Sequence, residues 1–210
     1  MKAVIFDFDG TIADSLAAVI KVFEDITNRP KPFTKAEIEE LQHKDLLQIT
    51  LELNVQKWKI PWLIFRGRRM FKDHMRSVRV HPGIPDILAD LHAHGVPLYV
   101  LSSNSRDNVQ QYLRSHHLES YFTAIYGGAG LLGKARSLSR LFKQQGVDPK
   151  GSWYVGDETR DIIGAHAAGM KIISVSWGYN SRQALADKNP DALVDTPEEL
   201  AAVLQKIWKK

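Results

Sequence analysis

The alternation of two kinds of segment constrains the fold of this chain most strongly. Short apolar runs rich in β-branched and aromatic residues are separated by segments whose apolar side chains recur at helical spacing. The runs are residues 2–6, 97–101, 123–126, 153–155, 172–177 and 192–194, and the helical patterns cover about 84–94, 109–113, 133–145, 160–168 and the residues after Thr196. Strands that alternate with helices in this way predict an α/β fold with a doubly wound parallel sheet.

The stretch between residues 14 and 80 follows a different pattern and predicts a helical insert. Apolar side chains from Leu16 to Ile26 share one helical face, and Thr34 with Glu37 forms a capping-box sequence that starts a second helix. Further helices are predicted at about 46–53 and 61–78. We therefore predict a core of residues 1–13 and 81–210, with a small all-helical cap domain of residues 14–80 inserted after the first strand.

Composition excludes several classes of protein. The 210 residues include no cysteine, so disulfides and thiolate chemistry are excluded and a cytoplasmic location is expected. No apolar run approaches the roughly 18 residues of a membrane-spanning helix, and Asp7 and Asp9 interrupt the N-terminal apolar stretch before it could act as a signal peptide. The formal net charge of +4 suits anionic substrates but predicts no nucleic-acid partner.

Polar residues follow three of the predicted strands at the point where each strand ends. In a parallel sheet of this class, ligands bind beyond the carboxyl ends of the strands, so these side chains are expected to meet at one edge. They are Asp7 and Asp9 after the first strand, Ser102, Ser103 and Asn104 after the second, and Gly156, Asp157, Glu158 and Asp161 after the strand at 153–155.

This collection of side chains indicates phosphoryl chemistry. Several carboxylates cannot stay ionised close together without a counter-charge, and Mg²⁺ provides one because it prefers oxygen ligands. A carboxylate can also attack phosphorus directly and form an aspartyl-phosphate. Because positions two apart in an extended strand point the same way, Asp7 and Asp9 can face one substrate.

Four motifs follow one another along the chain. They are Asp-x-Asp-Gly-Thr at residues 7–11, an apolar strand ending in serine at 98–102, a lysine that opens a later helix (Lys134), and Gly-Asp with a second Asp four residues on at 156–161. In this order they resemble the motifs of the haloacid dehalogenase superfamily of phosphatases. The layout is similar to that of phosphoglycolate phosphatases and β-phosphoglucomutases. One departure is the third motif, where many phosphoglycolate phosphatases have Lys-Pro-x-Pro and this chain has alanine after Lys134.

The resemblance implies a role for each residue around the metal. Asp7 would be the nucleophile and a Mg²⁺ ligand, and Asp9 would be the general acid and then the base, with its backbone carbonyl on the metal. Asp157 would be a further Mg²⁺ ligand. Thr11 and Asp161 would support the site, Asp161 through Lys134 or a metal-bound water.

Phosphate binding is implied for the second and third motifs. Ser102 would bind the phosphoryl oxygens, helped by the amides of Ser103 and Asn104, although Ser103 is a possible alternative as the main hydroxyl. Lys134 would neutralise the phosphate and the nucleophile together. The alternatives are a simple turn at residues 7–11, a helix cap at Ser102, and charges at a helix N-terminus for Asp157 and Asp161.

The resemblance implies a Mg²⁺-dependent phosphatase that acts on a small phosphorylated metabolite, as a monomer or homodimer. Because the dehalogenases of the superfamily lack the second Asp, Asp9 favours a phosphatase or phosphomutase. A sugar phosphomutase and a non-catalytic regulator that binds a phosphorylated metabolite remain the alternatives. A basic run at residues 66–79 could steer anionic substrates, although a solvated helix face is the better explanation for most of its residues.

Overall fold

The structure is a computed structural model that describes residues 1–27, 29–44, 48–49, 78–129 and 133–208. The strands of these residues are β1 Val4–Phe6, β2 Ala13–Asp14, β3 Arg79–Val80, β4 Leu98–Leu101, β5 Ala124–Tyr126, β6 Trp153–Gly156, β7 Lys171–Val175 and β8 Ala192–Val194. The helices are α1 Leu16–Thr27, α2 Lys35–Gln42, α3 Ile84–Ala93, α4 Arg106–Ser115, α5 Lys134–Gln145, α6 Thr159–Ala167, α7 Arg182–Ala186 and α8 Pro197–Trp208.

The main sheet has six parallel strands in the order β5-β4-β1-β6-β7-β8. The chain moves outward from β1 to one edge and then returns to build the other half, so the strand order reverses between β1 and β6. Sheets of this kind bind ligands in the crevice at that reversal. Phe6 pairs with both Val100 and Val155, so the residues that follow β1, β4 and β6 lie beside one another at the same edge.

Alternate residues of the central strands enter two different apolar layers. In β1, Val4 and Phe6 pack in one layer with α3, α4 and α8, whereas Ile5 packs in the other with α5 and α6. The strand is completely buried because helices cover both faces of the sheet. This arrangement explains why the strands read as continuous apolar runs, and it confirms the predicted doubly wound α/β class.

A second sheet joins the two points where the insert leaves and re-enters the core. Strands β2 and β3 are antiparallel, with Ala13 paired to Val80 and Asp14 to Arg79. The sequence pattern did not predict these strands, because two residues are too short to display a period. The His81 amide donates to the Ile12 carbonyl at 2.9 Å and extends the junction toward the site.

Two described segments of the insert, α1 and α2, are helical, whereas its two ends, Asp14 and Arg79–Val80, form strands that the all-helical prediction did not include. Helix α2 begins with the expected capping box, in which the Thr34 side chain accepts from the Glu37 amide and the Glu37 carboxylate accepts from the Thr34 amide. The predicted helices at 46–53 and 61–78 and the basic run lie outside the described residues, apart from 48–49 and 78–79. The domain bounds at residues 13 and 80 therefore stay a prediction. None of the described helices is long and apolar enough to cross a membrane.

Candidate active site

Three buried carboxylates meet where β1 and β6 end. Asp7 directly follows β1, Asp157 directly follows β6, and Asp161 lies in the first turn of α6. One oxygen of each lies within 4.8 Å of the others, and all three residues are at most 3% exposed. The Asp7 amide donates to the Val155 carbonyl at 2.8 Å, which fixes the end of β1 against β6.

Lys134 provides positive charge for two of these carboxylates. It is the first residue of α5, and its side chain is 5% exposed. Its Nζ lies 2.7 Å from Asp7 Oδ2 and also donates to Asp161 Oδ1. Burial alone would lower the pKa of Lys134, but the charges of Asp161 and Asp7 outweigh it and raise the pKa well above its ordinary value. The lysine therefore stays protonated at neutral pH.

Within the part of the chain that the structure describes, the Asp157 side chain accepts hydrogen bonds from neutral donors only. The Thr11 hydroxyl donates to its Oδ1 at 2.7 Å, and the Tyr179 amide donates to its Oδ2 at 2.8 Å. Among the described residues, no lysine or arginine forms an ion pair with it. Burial, with the charges of neighbouring carboxylates, raises the pKa of Asp157 well above its ordinary value. An ionised Asp157 therefore lacks a counter-charge from the described side chains.

Two glycines allow the backbone to approach the Asp157 carboxylate closely. A Cβ placed on Gly10 would lie 2.1 Å from Asp157 Oδ2, and one placed on Gly178 would lie 2.2 Å from the same oxygen. Gly10 also has a φ of +79°, which other residues rarely adopt. The Gly of the Asp-x-Asp-Gly segment thus has a definite role beyond that of a turn former.

The donor set suits a hard divalent cation. Buried carboxylate oxygens from two adjacent strand ends are the ligands that Mg²⁺ prefers, and a buried carboxylate without counter-charge is stabilised by a bound cation. Burial raises the pKa of Asp7 to about 7, against the opposing effect of Lys134, so one lysine does not compensate this cluster fully. The cluster therefore fits the divalent metal that was expected from the sequence.

Asp9 lies apart from the carboxylate cluster. Its Oδ2 accepts a long hydrogen bond of 3.4 Å from the Asn104 side chain, and its Oδ1 is buried without a partner among the described residues. Burial raises its pKa to about 7. The tight turn that carries it is closed by the amides of Ile12 and Ala13, which both donate to the Phe8 carbonyl. A carboxyl group with this pKa can both give and accept a proton near neutral pH.

The segment after β4 brings hydroxyl and amide groups to the same edge. Ser102 is fully buried, and its Oγ accepts from the Asn104 amide at 2.9 Å. Ser103 is half-buried, and its Oγ lies 3.5 Å from Arg160 Nη2. The residue that caps α4 is Ser105, whose side chain accepts from the Asn108 amide. Ser102 is therefore not the cap of this helix, whereas Asp161 does complete a capping box with Glu158 in addition to its contact with the lysine.

Two residues outside the predicted site set also contact the site. Arg160 pairs with Glu158, and its side chain is 24% exposed beside Ser103. Tyr179 contacts Asp157 through its amide, and its hydroxyl lies 2.7 Å from Ser15 Oγ. The position of Arg160 within the Gly-Asp motif was a usable signal for it. Tyr179 had only the weak signal of following a strand.

The structure thus gathers every predicted site residue at one edge of the sheet. The set comprises Asp7, Asp9, Thr11, Ser102, Ser103, Asn104, Lys134, Asp157 and Asp161. Their individual roles stay predictions. The fold and the site together define an α/β enzyme that carries a buried carboxylate and lysine cluster at the reversal point of its sheet.

Comparison with known proteins narrows this class. Residues 4–175 match the family model described as haloacid dehalogenase-like hydrolase. A phosphoglycolate phosphatase from Synechococcus elongatus is 36% identical over 216 residues, covering 100% of both chains. The chain therefore belongs to the haloacid dehalogenase-like hydrolases, as its motifs predicted. The predicted enzyme class, a hydrolase acting on phosphoric monoesters, is also confirmed by membership of this family and by the phosphoglycolate phosphatase named above.

Solved structures of low sequence identity share the fold. A predicted phosphatase from Clostridium acetobutylicum has a TM-score of 0.83 at 23% identity, with 98% of each chain covered. A putative β-phosphoglucomutase from Thermotoga maritima has a TM-score of 0.71 at 21% identity, with 98% of this chain and 99% of that chain covered. At this identity the likeness supports the fold alone.

Proposed function

We propose that this protein is a Mg²⁺-dependent phosphatase that hydrolyses phosphoglycolate or a similarly small phosphomonoester through an aspartyl-phosphate. The observation that carries the proposal is the pairing of Asp7 with Lys134 at 2.7 Å, with Asp157 beside them and Asp9 free of the lysine. Relatives named phosphoglycolate phosphatase support the choice of substrate. The cytoplasmic location and the monomeric or dimeric state stay predictions.

Asp7, Asp157 and the backbone carbonyl of Asp9 would hold Mg²⁺. When bound, the metal supplies positive charge that neutralises the carboxylates and the phosphoryl oxygens. This charge complements that of Lys134, whose Nζ already donates to both Asp7 and Asp161. Thr11 and Tyr179 would keep Asp157 oriented, since they donate to its two different oxygens.

In the first step, a carboxylate oxygen of Asp7 would attack phosphorus. The new O–P bond forms as the ester O–P bond breaks, and the departing oxygen takes a proton from Asp9. In the second step, Asp9 accepts a proton from water, and the hydroxyl oxygen attacks the phosphorus of the aspartyl-phosphate. Phosphate leaves, Asp7 is restored as a carboxylate and Asp9 is again protonated.

The surroundings of Asp9 support its proposed part in both steps. Because burial raises its pKa to about 7, the protonated and ionised forms are both populated near neutral pH. Ser102, Ser103 and Asn104 lie at the same edge and would bind the phosphoryl oxygens. Arg160, next to Ser103, adds a cation that suits an anionic substrate.

The test is phosphate release from a panel of phosphomonoesters, with Mg²⁺ and with chelator. We expect release from 2-phosphoglycolate that disappears with chelator, and slower release from ethyl phosphate, which matches its size but lacks the carboxylate. Glucose 1-phosphate, glucose 6-phosphate and a nucleoside monophosphate complete the panel. Conversion of one sugar phosphate into another without free phosphate would indicate a mutase, and binding without turnover would indicate a regulator.

The stability of the protein should depend on Mg²⁺ more strongly as pH rises. The pKa values of Asp7 and Asp9 are raised to about 7 in the folded state from an ordinary 3.8, so folding favours their protonated forms. Stability from this source is present at low pH and is lost as pH rises toward 7. Because Mg²⁺ binds ionised carboxylates, the increase in melting temperature that it causes should grow over the same range.

Thermal unfolding with Mg²⁺ or chelator, from about pH 5 to about pH 9, measures this dependence. Asp157→Asn is the matched control, because it removes one proposed ligand and should shrink the Mg²⁺-induced increase. The proposed metal site would be contradicted if the Mg²⁺-induced increase in melting temperature were equal at all pH values, or if it were unchanged in Asp157→Asn.

A further inference from the structure

One side chain joins the insert to the carboxylate cluster. Asn180 lies between β7 and α7 and is 5% exposed. Its Oδ1 accepts from the Thr159 amide at 2.9 Å, at the first residue of α6. Its Nδ2 donates to the carbonyls of Gln42 at 3.0 Å and Lys44 at 3.2 Å, at the end of α2. One amide group therefore satisfies backbone groups of two helix ends, which have no partners inside their own helices.

The same loop also holds Asp157 through its backbone. The Asn180 amide donates to the Asp157 carbonyl at 3.3 Å, and the preceding Tyr179 amide donates to the Asp157 carboxylate. The Gln42 side chain donates to the Gly178 carbonyl at 3.1 Å, which adds a contact from α2 to this loop. A displacement of α2 would therefore either break these bonds or move the groups that orient Asp157.

The chemistry of this position suits asparagine. Aspartate would keep the acceptor for Thr159 but would lose the donor for the two carbonyls, and leucine would lose both. A residue that only closed the loop would not need a side chain that accepts from the first amide of α6 and also donates to the carbonyls at the end of α2. Asn180 therefore contributes to hydrogen bonding at the ends of both α2 and α6, although the Gln42 carbonyl also accepts from the Ser181 amide at 2.9 Å.

We propose that Asn180 is a positioning residue that ties the end of α2 to Asp157, so that cation binding at Asp157 and the placement of the insert are coupled. The inference rests on the proposed function in one respect, namely that Asp157 binds Mg²⁺. It assigns Asn180 no contact with substrate. The coupling would let the insert respond to whether the catalytic carboxylates are charged and occupied.

The experiment is hydrogen–deuterium exchange of residues 35–44 with and without Mg²⁺, in wild type and Asn180→Ala. In wild type, Mg²⁺ should slow exchange in this segment. In Asn180→Ala the segment should no longer respond, and the half-saturating Mg²⁺ concentration from thermal shift should rise about 10-fold, as is typical for residues that orient metal ligands. No phosphate ester is present, so the readout does not depend on turnover.

Ser181→Ala is the matched control, because the Ser181 hydroxyl contacts the same segment through His43 and, among the described residues, forms no hydrogen bond with α6. It should keep the Mg²⁺ response of residues 35–44. Asn180→Asp keeps the acceptor for the Thr159 amide but loses the donor for the Gln42 and Lys44 carbonyls, so it should weaken the response even if Asn180→Ala does not fold. A wild-type segment that ignores Mg²⁺ would overturn the inference, and so would a normal response in Asn180→Ala or, if that variant does not fold, in Asn180→Asp.

The outcomes also separate this inference from the proposed function. A protein that hydrolyses no ester, but whose Mg²⁺ response disappears in Asn180→Ala, would support the coupling and refute the phosphatase. A protein that hydrolyses phosphoglycolate, with a normal Mg²⁺ response in Asn180→Ala, would refute the coupling alone.

Discussion

Asp7→Asn is expected to lower phosphate release roughly ten thousand-fold or more, by analogy with the loss of other catalytic nucleophiles, while the protein stays folded. The amide keeps the shape of the side chain and one of its two acceptors, either for the Phe8 amide at 2.8 Å or for Lys134 Nζ at 2.7 Å. It cannot form the aspartyl-phosphate, because an amide is not a competent nucleophile toward phosphorus. Burial already disfavours the ionised form of Asp7, so replacing it by a neutral group costs little stability.

Asp9→Asn provides the comparison that separates the two steps. With an aryl phosphate, whose leaving group needs no proton, this variant should form the aspartyl-phosphate but hydrolyse it slowly, since it lacks the base. The expected result is a burst of phenol equal to the enzyme concentration, followed by slow turnover. Asp7→Asn should show neither burst nor turnover.

Rapid-quench measurement of phenol and phosphate checks both variants, with circular dichroism to confirm that each is folded. Phosphate release from Asp7→Asn within about 10-fold of wild type would mean that another residue, or water, attacks phosphorus, because loss of a nucleophile costs far more. A burst in Asp7→Asn would have the same meaning. No burst in a folded Asp9→Asn would assign Asp9 a role in the first step even with a good leaving group.

The sequence predicted the sheet well because its strands are buried on both faces. A run such as residues 98–101 is apolar throughout and lies between polar segments, so composition and length suffice to locate it. The antiparallel pair β2 and β3 escaped prediction since it contains only two residues on each side. The five-residue helix α7 was not predicted for a similar reason, because it completes barely more than one turn.

The site was predictable to the extent that its residues follow strands. Asp7 and Asp157 stand at strand ends that the sheet must bring together, whereas Asn180 contacts Gln42 across 138 positions through a pairing that no local pattern encodes. Sequence alone also could not distinguish the surroundings of Asp7 and Asp9. Although the two residues are only two positions apart, Asp7 faces the buried Lys134, whereas Asp9 faces the Asn104 side chain through a long hydrogen bond.

Lys134→Met is expected to abolish activity and to destabilise the protein by about 3–5 kcal/mol, the cost of leaving buried charges without a partner. Methionine fills much of the same volume but leaves Asp7 and Asp161 without the lysine that contacts them both. The folded-state pKa of Asp7, already raised to about 7, should then rise further, so the loss of stability should be larger at pH 8 than at pH 5. Denaturant unfolding of wild type and variant at both pH values measures the difference.

The same substitution at Lys143, an exposed residue on the same helix, is the matched control and should change stability by no more than about 0.5 kcal/mol. The double variant Lys134→Met with Asp161→Asn separates structure from catalysis. Because it removes one of the two carboxylates that lose the lysine, it should be more stable than Lys134→Met alone, yet it should remain inactive since the lysine no longer neutralises Asp7 and the phosphate. Recovered activity in the double variant would mean that Lys134 acts only as a structural counter-charge. Stability of Lys134→Met equal to that of wild type would instead show that solvent reaches these carboxylates and neutralises them without the lysine.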